Sequence, residues 1–445
     1  MLYVNNSNQL TVRSSRGKLK KARPDSGRTI YFVKIVLHTQ APKHAPSTVT
    51  PIAATVNLPC QTIMHVQKHP LSGPHSSTAF ELTSFHFGTP GAGKKVYIQA
   101  SLHADEVPGM LVAQFLRQRL AALEAAGQVA GEVILVPAAN PIGLAQAIHG
   151  AAFGRFDLTT GVNFNRNYKH VFEDLKKSLD GLLGPDADAN VRLIRAHARA
   201  SIAEWRPSTD ADTLKKALMT MAVDADIVLD LHCDNEAVMH IYAGTPLAAA
   251  IAPLSALMGA HALLLAYQAG GEPFDEACSR LWWDLERHFE GKYPIPPACL
   301  STTVELRGEM EVSYQLAEKD AAGLLRFLVL SGVLLDDGSG AGAAAIAAAP
   351  LPVPLCEATP LEGVEPLYAP HAGVLVYTRD LGERVAPGDA IADLIDPVSG
   401  ETTVVRAGVA GVFFARSAHR HVLRGMNIGK VAGAQAYRAG DLLSQ

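Results

Sequence analysis

The chain lacks what several common classes of protein require. Only five of its 445 residues are cysteines, an odd number, and they are scattered without a CxxC pair. This usage excludes a disulfide scaffold and a cysteine-based zinc knuckle, and it is typical of a reducing compartment, so we expect a cytoplasmic protein. No uninterrupted apolar run reaches the roughly 18–20 residues of a membrane span, so we predict no membrane partner.

An excess of positive charge is also missing. The 39 Lys and Arg residues oppose 43 Asp and Glu residues, which gives a formal net charge of −4. Because binding to nucleic-acid phosphates needs a basic face, we predict no nucleic-acid partner.

Hydrophobic residues make up 48% of the chain, so it can bury a large core over two or three domains. The oligomeric state is not readable from the sequence, and a homo-oligomer is compatible with it.

Composition divides the chain into four segments. Residues 1–63 carry a late basic stretch and an interrupted apolar stretch. We therefore predict either a disordered extension or a spurious one with the true start at Met64, rather than a signal peptide. Residues 64–335 are predicted to form an α/β domain. Residues 336–361, rich in Gly, Ala and Pro, are predicted as a linker. Residues 362–445, with short alternating runs and regularly spaced glycines, are predicted as a small all-β domain.

Hydrophobic patterns place the secondary structure of the α/β domain. Strands are predicted at Lys95–Ala100, Glu132–Pro137, Ala225–Leu231 and Thr302–Leu306, and helices at Met110–Ala126, within Ser178–Val223 and at Leu316–Leu335. Strands that alternate with helices predict a mostly parallel or mixed sheet with helices on both faces.

Two of these strands lead into potential metal ligands. His103 and Glu106 follow the strand KVYIQA, and His232 follows the apolar run IVLDL, which contains Asp230. Imidazole and carboxylate suit Zn²⁺, and two His with one Glu leave a fourth position for water, which is typical of a catalytic site. Asp230 could orient the imidazole of His232 through its second nitrogen. Each segment alone has an ordinary alternative, either an exposed loop or a buried structural histidine.

Two further segments carry polar residues suited to a reaction. Arg155, Asn165 and Arg166 lie in the segment GRFDLTTGVNFNRNY, and guanidinium groups bind carboxylates through two parallel hydrogen bonds. Taken alone, these arginines are better interpreted as partners in ordinary surface salt bridges. Glu305 lies in the apolar run TTVELRG, where a carboxylate is costly unless it is paired or functional. Near a metal it could serve as a general base.

The order HADE, NFNR, DLH, VELRG resembles that of the succinylglutamate desuccinylase/aspartoacylase family, which belongs to the zinc-carboxypeptidase-like superfamily. The resemblance covers about residues 78–433. It implies a mixed-sheet zinc-carboxypeptidase-like domain that holds one Zn²⁺ per chain. The implied roles are zinc ligands for His103, Glu106 and His232, catalytic glutamate for Glu305, and substrate binding for Arg155, Asn165 and Arg166.

The C-terminal segment resembles the barrel-sandwich hybrid of biotinyl and lipoyl carriers. Such carriers place a lysine in a tight hairpin, but the corresponding DPVSG stretch, residues 396–400, has none, which argues against a carrier role. In the family this domain lies beside the mouth of the active site. The resemblance therefore implies a narrowed entrance and small substrates.

Together these inferences give a hypothesis for function. We expect a zinc-dependent amidohydrolase that cleaves the amide bond of a small N-acyl amino acid or N-acylated amine, with Glu305 as general base to a zinc-activated water. One alternative is a metallocarboxypeptidase acting on a short or modified peptide, which would share every metal residue. Another is a binding or regulatory protein that has lost catalysis, although no expected ligand or base is missing. The sequence identifies neither the acyl group nor the amine.

Overall fold

The structure is a computed structural model that describes residues 64–73, 77–335, 350–440 and 442. The predictions for residues 1–63, and for residues 336–349 of the predicted linker, lie outside these residues. Within the described part the helices are α1 (Pro108–Ala125), α2 (Pro141–Leu144), α3 (Phe172–Ser178), α4 (Ala187–Glu204), α5 (Asp210–Ala222), α6 (Ala248–Met258), α7 (Phe274–His288) and α8 (Tyr314–Leu330).

The strands are shorter and more numerous than the helices. They are β1 (His65–Pro70), β2 (Glu81–Gly88), β3 (Lys95–Ala100), β4 (Glu132–Val136), β5 (Ala147–Ile148), β6 (Ala151–Ala152), β7 (Ile227–Asp234), β8 (Glu236–Ala237), β9 (His240–Gly244), β10 (Ala262–Ala266), β11 (Leu300–Gly308), β12 (Ala358–Pro360), β13 (Val364–Tyr368), β14 (Gly373–Tyr377), β15 (Arg384–Val385), β16 (Ala390–Ile395), β17 (Thr402–Arg406), β18 (Gly411–Arg416), β19 (His421–Val422) and β20 (Asn427–Gly433).

A nine-stranded mixed sheet organises the α/β region, in the order β1-β2-β4-β3-β7-β11-β9-β10-β12. The strands β4, β3, β7 and β11 run parallel to one another, and β1, β2 and β9 pair antiparallel to their inner neighbours. The four predicted strands correspond to β3, β4, β7 and β11, which confirms the mixed α/β class. Residues 358–360 of the predicted linker instead form the edge strand β12, which pairs with β10.

Alternate residues of β7 face two different cores, because successive side chains of a strand point to opposite faces. Ile227, Leu229 and Leu231 pack with α1, α6 and α8, whereas Val228 packs with α3, α4, α5 and α7. Helices thus cover both faces, and each buried aliphatic side chain contributes about 1.5–3 kcal/mol relative to exposure. The polar residues of β7 share the face of Val228.

The predicted helices form with shifted ends. The helix predicted at Met110–Ala126 is α1, and the region Ser178–Val223 contains α4 and α5. The helix predicted at Leu316–Leu335 is α8, which ends five residues earlier, since Ser331 is its C-cap and Gly332 follows with a positive φ of 73°. Ser313 begins α8, because its side chain accepts a hydrogen bond from the amide of Leu316.

Strands β13–β20 make the C-terminal region all-β, as predicted. They form one sheet in the order β13-β20-β18-β15 and a second in the order β17-β16-β14-β19, around a core that includes Leu375, Ile391 and Phe413. The short strand β8 of the α/β region pairs antiparallel with β18. This pairing joins the β region to the segment that directly follows β7. Within the described residues, no helix combines the length and apolar character needed to cross a bilayer.

Candidate active site

Three of the predicted site residues converge on one point. The potential ligand atoms of His103, Glu106 and His232 all lie within 4.8 Å of one another. Glu106 lies between the two rings, with Oε1 2.8 Å from Nδ1 of His103 and Oε2 2.7 Å from Nδ1 of His232. None of the three residues is more than 4% exposed. This buried group of two imidazoles and a carboxylate can hold a metal ion.

A tight turn after β3 delivers the first two of these residues. Ser101 adopts a left-handed φ of 62°, and the amide of Ala104 donates a hydrogen bond of 3.1 Å to the carbonyl of Gly154. A Cβ at Gly154 would lie 2.3 Å from the amide nitrogen of Asp105, so only glycine allows this close approach. Gly154 is therefore needed for the close packing of this turn, which carries His103.

Neighbouring side chains lie beside Nε2 of both imidazoles. Asn163 Oδ1 lies 2.8 Å from Nε2 of His103 and also accepts a hydrogen bond from the amide of Asn165, so it must be the oxygen of the side-chain amide. This acceptor favours a proton on Nε2 of His103, and a bound metal would then take the Nδ1 position that faces Glu106. Asp230 Oδ2 lies 3.0 Å from Nε2 of His232, off the line of a hydrogen bond, and favours the same arrangement.

Charge within this group favours an ionised Glu106 and a neutral His103 but a protonated His232. Burial raises the pKa of Glu106, but the two imidazoles outweigh burial and hold it well below its usual value. Burial is the main cause that lowers the pKa of His103 to about 4, so this ring is neutral at pH 7. Burial lowers the pKa of His232, but Asp230 and Glu106 outweigh it and raise the pKa. A metal ion would have to displace that proton.

Glu305 lies beside this group on the neighbouring strand. In the pairing of β11 with β7, Glu305 is opposite His232, and its side chain lines the same cavity. Its Oε2 has no hydrogen-bond partner among the described residues. Burial, followed by the charge of Glu106, raises the pKa of Glu305 to about 8. Such a carboxyl group can hold and release a proton near neutral pH.

The predicted substrate-binding residues line the same cavity. Nη2 of Arg155 lies 3.5 Å from Oε1 of Glu106, and the Arg155 side chain is 38% exposed. Arg166 is 9% exposed, and a Cβ at Gly271 would lie 2.7 Å from its Cδ, so glycine is needed beside it. Asn165 Oδ1 accepts a hydrogen bond of 2.9 Å from the first amide of α7. Its NH₂ group therefore remains for another acceptor.

The cavity measures about 600 Å³ and has walls from both the α/β and the β regions. This size is typical of a site for a small molecule.

Sequence reasoning missed several lining residues, among them Tyr242, Asp275 and Lys430. Lys430 of β20 forms an ion pair with Asp234 at the end of β7. Burial raises the pKa of Asp234, but Lys430 outweighs burial and lowers it, so the pair is charged.

Comparison with known proteins identifies the family. A model of the succinylglutamate desuccinylase/aspartoacylase catalytic domain matches residues 92–331, which is more than half of the chain. The chain belongs to the succinylglutamate desuccinylase/aspartoacylase family. Membership implies a hydrolase of the deacylase/aspartoacylase type. None of the curated proteins compared with the chain matches it significantly.

Solved structures share the fold over most of the chain. A family protein from Shewanella amazonensis SB2B is 27% identical with a TM-score of 0.70, and the match covers 83% of this chain and 98% of that chain. A second, from Shewanella frigidimarina NCIMB 400, is 24% identical with a TM-score of 0.71 and covers 83% and 97%. The ectoine utilization protein EutE (DoeB) from Ruegeria pomeroyi, solved with product bound, is 18% identical with a TM-score of 0.56 and covers 83% and 95%.

Proposed function

We propose that the chain is a zinc-dependent amidohydrolase that removes the acyl group from a small N-acyl amino acid or N-acylated amine. The observation that carries this proposal is the convergence of His103, Glu106 and His232 beside Glu305 in one cavity. We further propose a zinc-carboxypeptidase-like catalytic domain and a barrel-sandwich-hybrid-like C-terminal domain. The four described cysteines are free thiols, which supports a cytoplasmic location.

The donor set supports zinc as the metal. Two imidazole nitrogens and a carboxylate are typical ligands of a catalytic zinc, and they leave one position open. The fit is supported by Asn163 and Asp230, whose oxygens lie beside Nε2 of His103 and of His232 and so leave Nδ1 of each ring for the metal. When bound, zinc would lower the pKa of a water molecule and polarise the substrate carbonyl.

Glu305 moves the proton in the proposed reaction. Its carboxylate takes a proton from the water that attacks the amide carbonyl carbon. As the C–N bond breaks, Glu305 returns that proton to the leaving nitrogen, so that the products are a carboxylic acid and an amine. The free Oε2 of Glu305 and its position opposite His232 support this role.

Three donors would bind and orient the substrate. Arg155 lies at a part-exposed position beside Glu106, where its guanidinium can bind a substrate carboxylate. The buried guanidinium of Arg166 and the free NH₂ of Asn165 can stabilise negative charge on the carbonyl oxygen. Since the C-terminal region forms part of the wall, the cavity suits small substrates better than polypeptides.

The test is a substrate panel on the purified protein, run with and without a chelator. It contains N-acetyl and N-succinyl amino acids, acylated diamines and dipeptides, and release of the free amine is measured. We expect hydrolysis of an acylated amine that stops when the metal is removed. Glu305→Gln should keep the metal and lose about 10²–10⁴-fold in kcat, whereas the surface control Glu318→Gln should not. Cleavage of dipeptides alone, or near-normal turnover by Glu305→Gln, would contradict the proposal.

A further inference from the structure

Strand β11 contains one extra residue directly after Glu305. From Leu300 to Glu305 it pairs in register with β7, and Glu305 is opposite His232. The register then shifts, and Gly308 is opposite Asp234. Three steps along β11 therefore match two steps along β7, which is the signature of a β-bulge. Bulges change the direction of the side chains on either side of them.

The side chains also show that the regular alternation of β11 between the two faces of the sheet is broken after Glu305. Val304 and Leu306 pack in the core that contains α1, α6 and α8, so Glu305 faces the opposite side of the sheet, where the cavity lies. In a regular strand, Arg307 would share the face of Glu305. Instead, the Arg307 side chain contacts Asp320 of α8, which lies on the other side.

The backbone at the bulge is in an unfavourable conformation. Arg307 has a φ of 69°, in the left-handed region that long side chains rarely adopt. This conformation costs free energy and persists only where the surroundings hold it. The strained residue lies two positions after Glu305, in the segment that links the active-site strand to α8.

A buried ion pair holds the strained residue in place. Nη1 of Arg307 lies 3.2 Å from Oδ1 of Asp320, and Nη2 lies 2.5 Å from Oδ2. Asp320 is 2% exposed, so this two-point contact is shielded from water. The chain beyond the bulge is fixed as well, since the amide of Gly308 donates to Glu311 and the amide of Glu309 donates to the carbonyl of Asp234.

We propose that Arg307 and Asp320 are positioning residues for the reaction: their ion pair holds the bulge in β11 that directly follows Glu305, and so fixes the end of the strand segment that carries Glu305. The inference rests on the proposed function, because it takes Glu305 as the proton acceptor. Neither residue touches the substrate. Regular alternation before the bulge turns Glu305 to the cavity side of the sheet, and the pair acts by fixing its distance from the group formed by His103, Glu106 and His232.

Three variants separate the backbone conformation from the ion pair. Arg307→Asn keeps a residue that tolerates a positive φ but removes the guanidinium. Asp320→Asn keeps Arg307 and removes the negative charge. Arg307→Lys keeps the charge but not the two-point contact. We expect both Asn variants to lower kcat by about 10–100-fold, because small misplacements of a reacting group have effects of this size. KM and bound zinc should stay close to the wild-type values, and Arg307→Lys should restore part of the rate.

A second readout requires neither metal nor substrate. In the metal-free protein, backbone amides of residues 302–309 should exchange hydrogen faster in Arg307→Asn and Asp320→Asn than in the wild type. The matched control is Arg195→Asn, which breaks another Arg–Asp contact, Nη2 of Arg195 to Oδ1 of Asp226 at 2.8 Å, away from the cavity. The control should change neither kcat nor exchange in this segment.

The outcomes separate this inference from the proposed function. Wild-type kcat and exchange in Arg307→Asn, or an equal loss of kcat in Arg195→Asn, would overturn the positioning role and leave the hydrolase proposal intact. If Asp320→Asn does not fold, the two Arg307 variants decide the question. Full activity of Glu305→Gln would instead remove the proton role of Glu305, and hydrogen exchange alone would then decide whether the ion pair holds the bulge.

Discussion

The amide of Asn163 offers a sharp test of the proposed metal site. It is 4% exposed, and its Oδ1 accepts from both Nε2 of His103 and the amide of Asn165, each at 2.8 Å. Asn163→Ala removes the acceptor that favours a proton on Nε2 of His103. The other side chains at this ring are Glu106, at Nδ1, and Arg155, whose Nη1 lies 3.4 Å from Nε2. Loss of such a partner typically weakens metal binding by 10–100-fold, which corresponds to about 1.4–2.7 kcal/mol.

The assay is competition for zinc between the metal-free protein and a fluorescent chelator. We expect the Kd of Asn163→Ala to rise by about 10–100-fold. Asn163→Asp keeps the acceptor and adds a negative charge beside the ring, so it should bind zinc at least as tightly as the wild type. The control is Asn190→Ala, which removes another buried amide that bonds to the carbonyls of Gly184 and Pro294. Unchanged zinc affinity in Asn163→Ala, or an equal loss in Asn190→Ala, would refute the reasoning.

Three further predictions concern the turn, the β region and pH. Gly154→Ala should lower Tm and bound zinc, because its methyl group would lie 2.3 Å from the amide nitrogen of Asp105. Thermal melting and metal analysis measure the two effects. The control is Gly184→Ala, whose methyl group would meet no atom within 4 Å. Lys430→Met should lower kcat/KM for the best anionic substrate by at least about tenfold, because it removes a cation that lines the cavity. It should also lower Tm, because the Asp234 carboxylate loses its partner. Burial raises the pKa of Glu276 from 4.5 to about 8, so between these pH values the folded state holds a proton that the unfolded state has lost. The free energy of unfolding should therefore fall as the pH rises from about 5 to 8. A melting series on Glu276→Gln should show a smaller fall.

The central strands could be predicted because their residues are buried on both faces. Runs such as IVLDL are apolar except for one residue, and β3, β4, β7 and β11 are all predictable for that reason. The short strands β9 and β10 were missed, since HIYAG and ALLLA are five residues long and adjoin helical segments with a similar apolar content. The edge strand β12 was missed because it lies in a Pro-rich stretch that reads as a linker.

The candidate site also contains residues that could be predicted from a strand pattern and residues that could not. His232 and Glu305 could be found because a charged or polar residue interrupts an apolar strand, and their pairing across β7 and β11 brings them together. The contact of Asn163 with His103 spans 60 residues, and that of Lys430 with Asp234 spans 196. Such contacts depend on how loops and domains pack, and local patterns carry no signal for them.

The most direct test of the account is a crystal structure of the zinc-loaded protein with anomalous data at the zinc edge. The account predicts one strong anomalous peak per chain, about 2.0–2.2 Å from Nδ1 of His103, Nδ1 of His232 and the carboxylate of Glu106. Glu305 should face the open side of that peak. A peak bound by other residues, or an empty site between these three side chains in protein that retains zinc, would contradict the account.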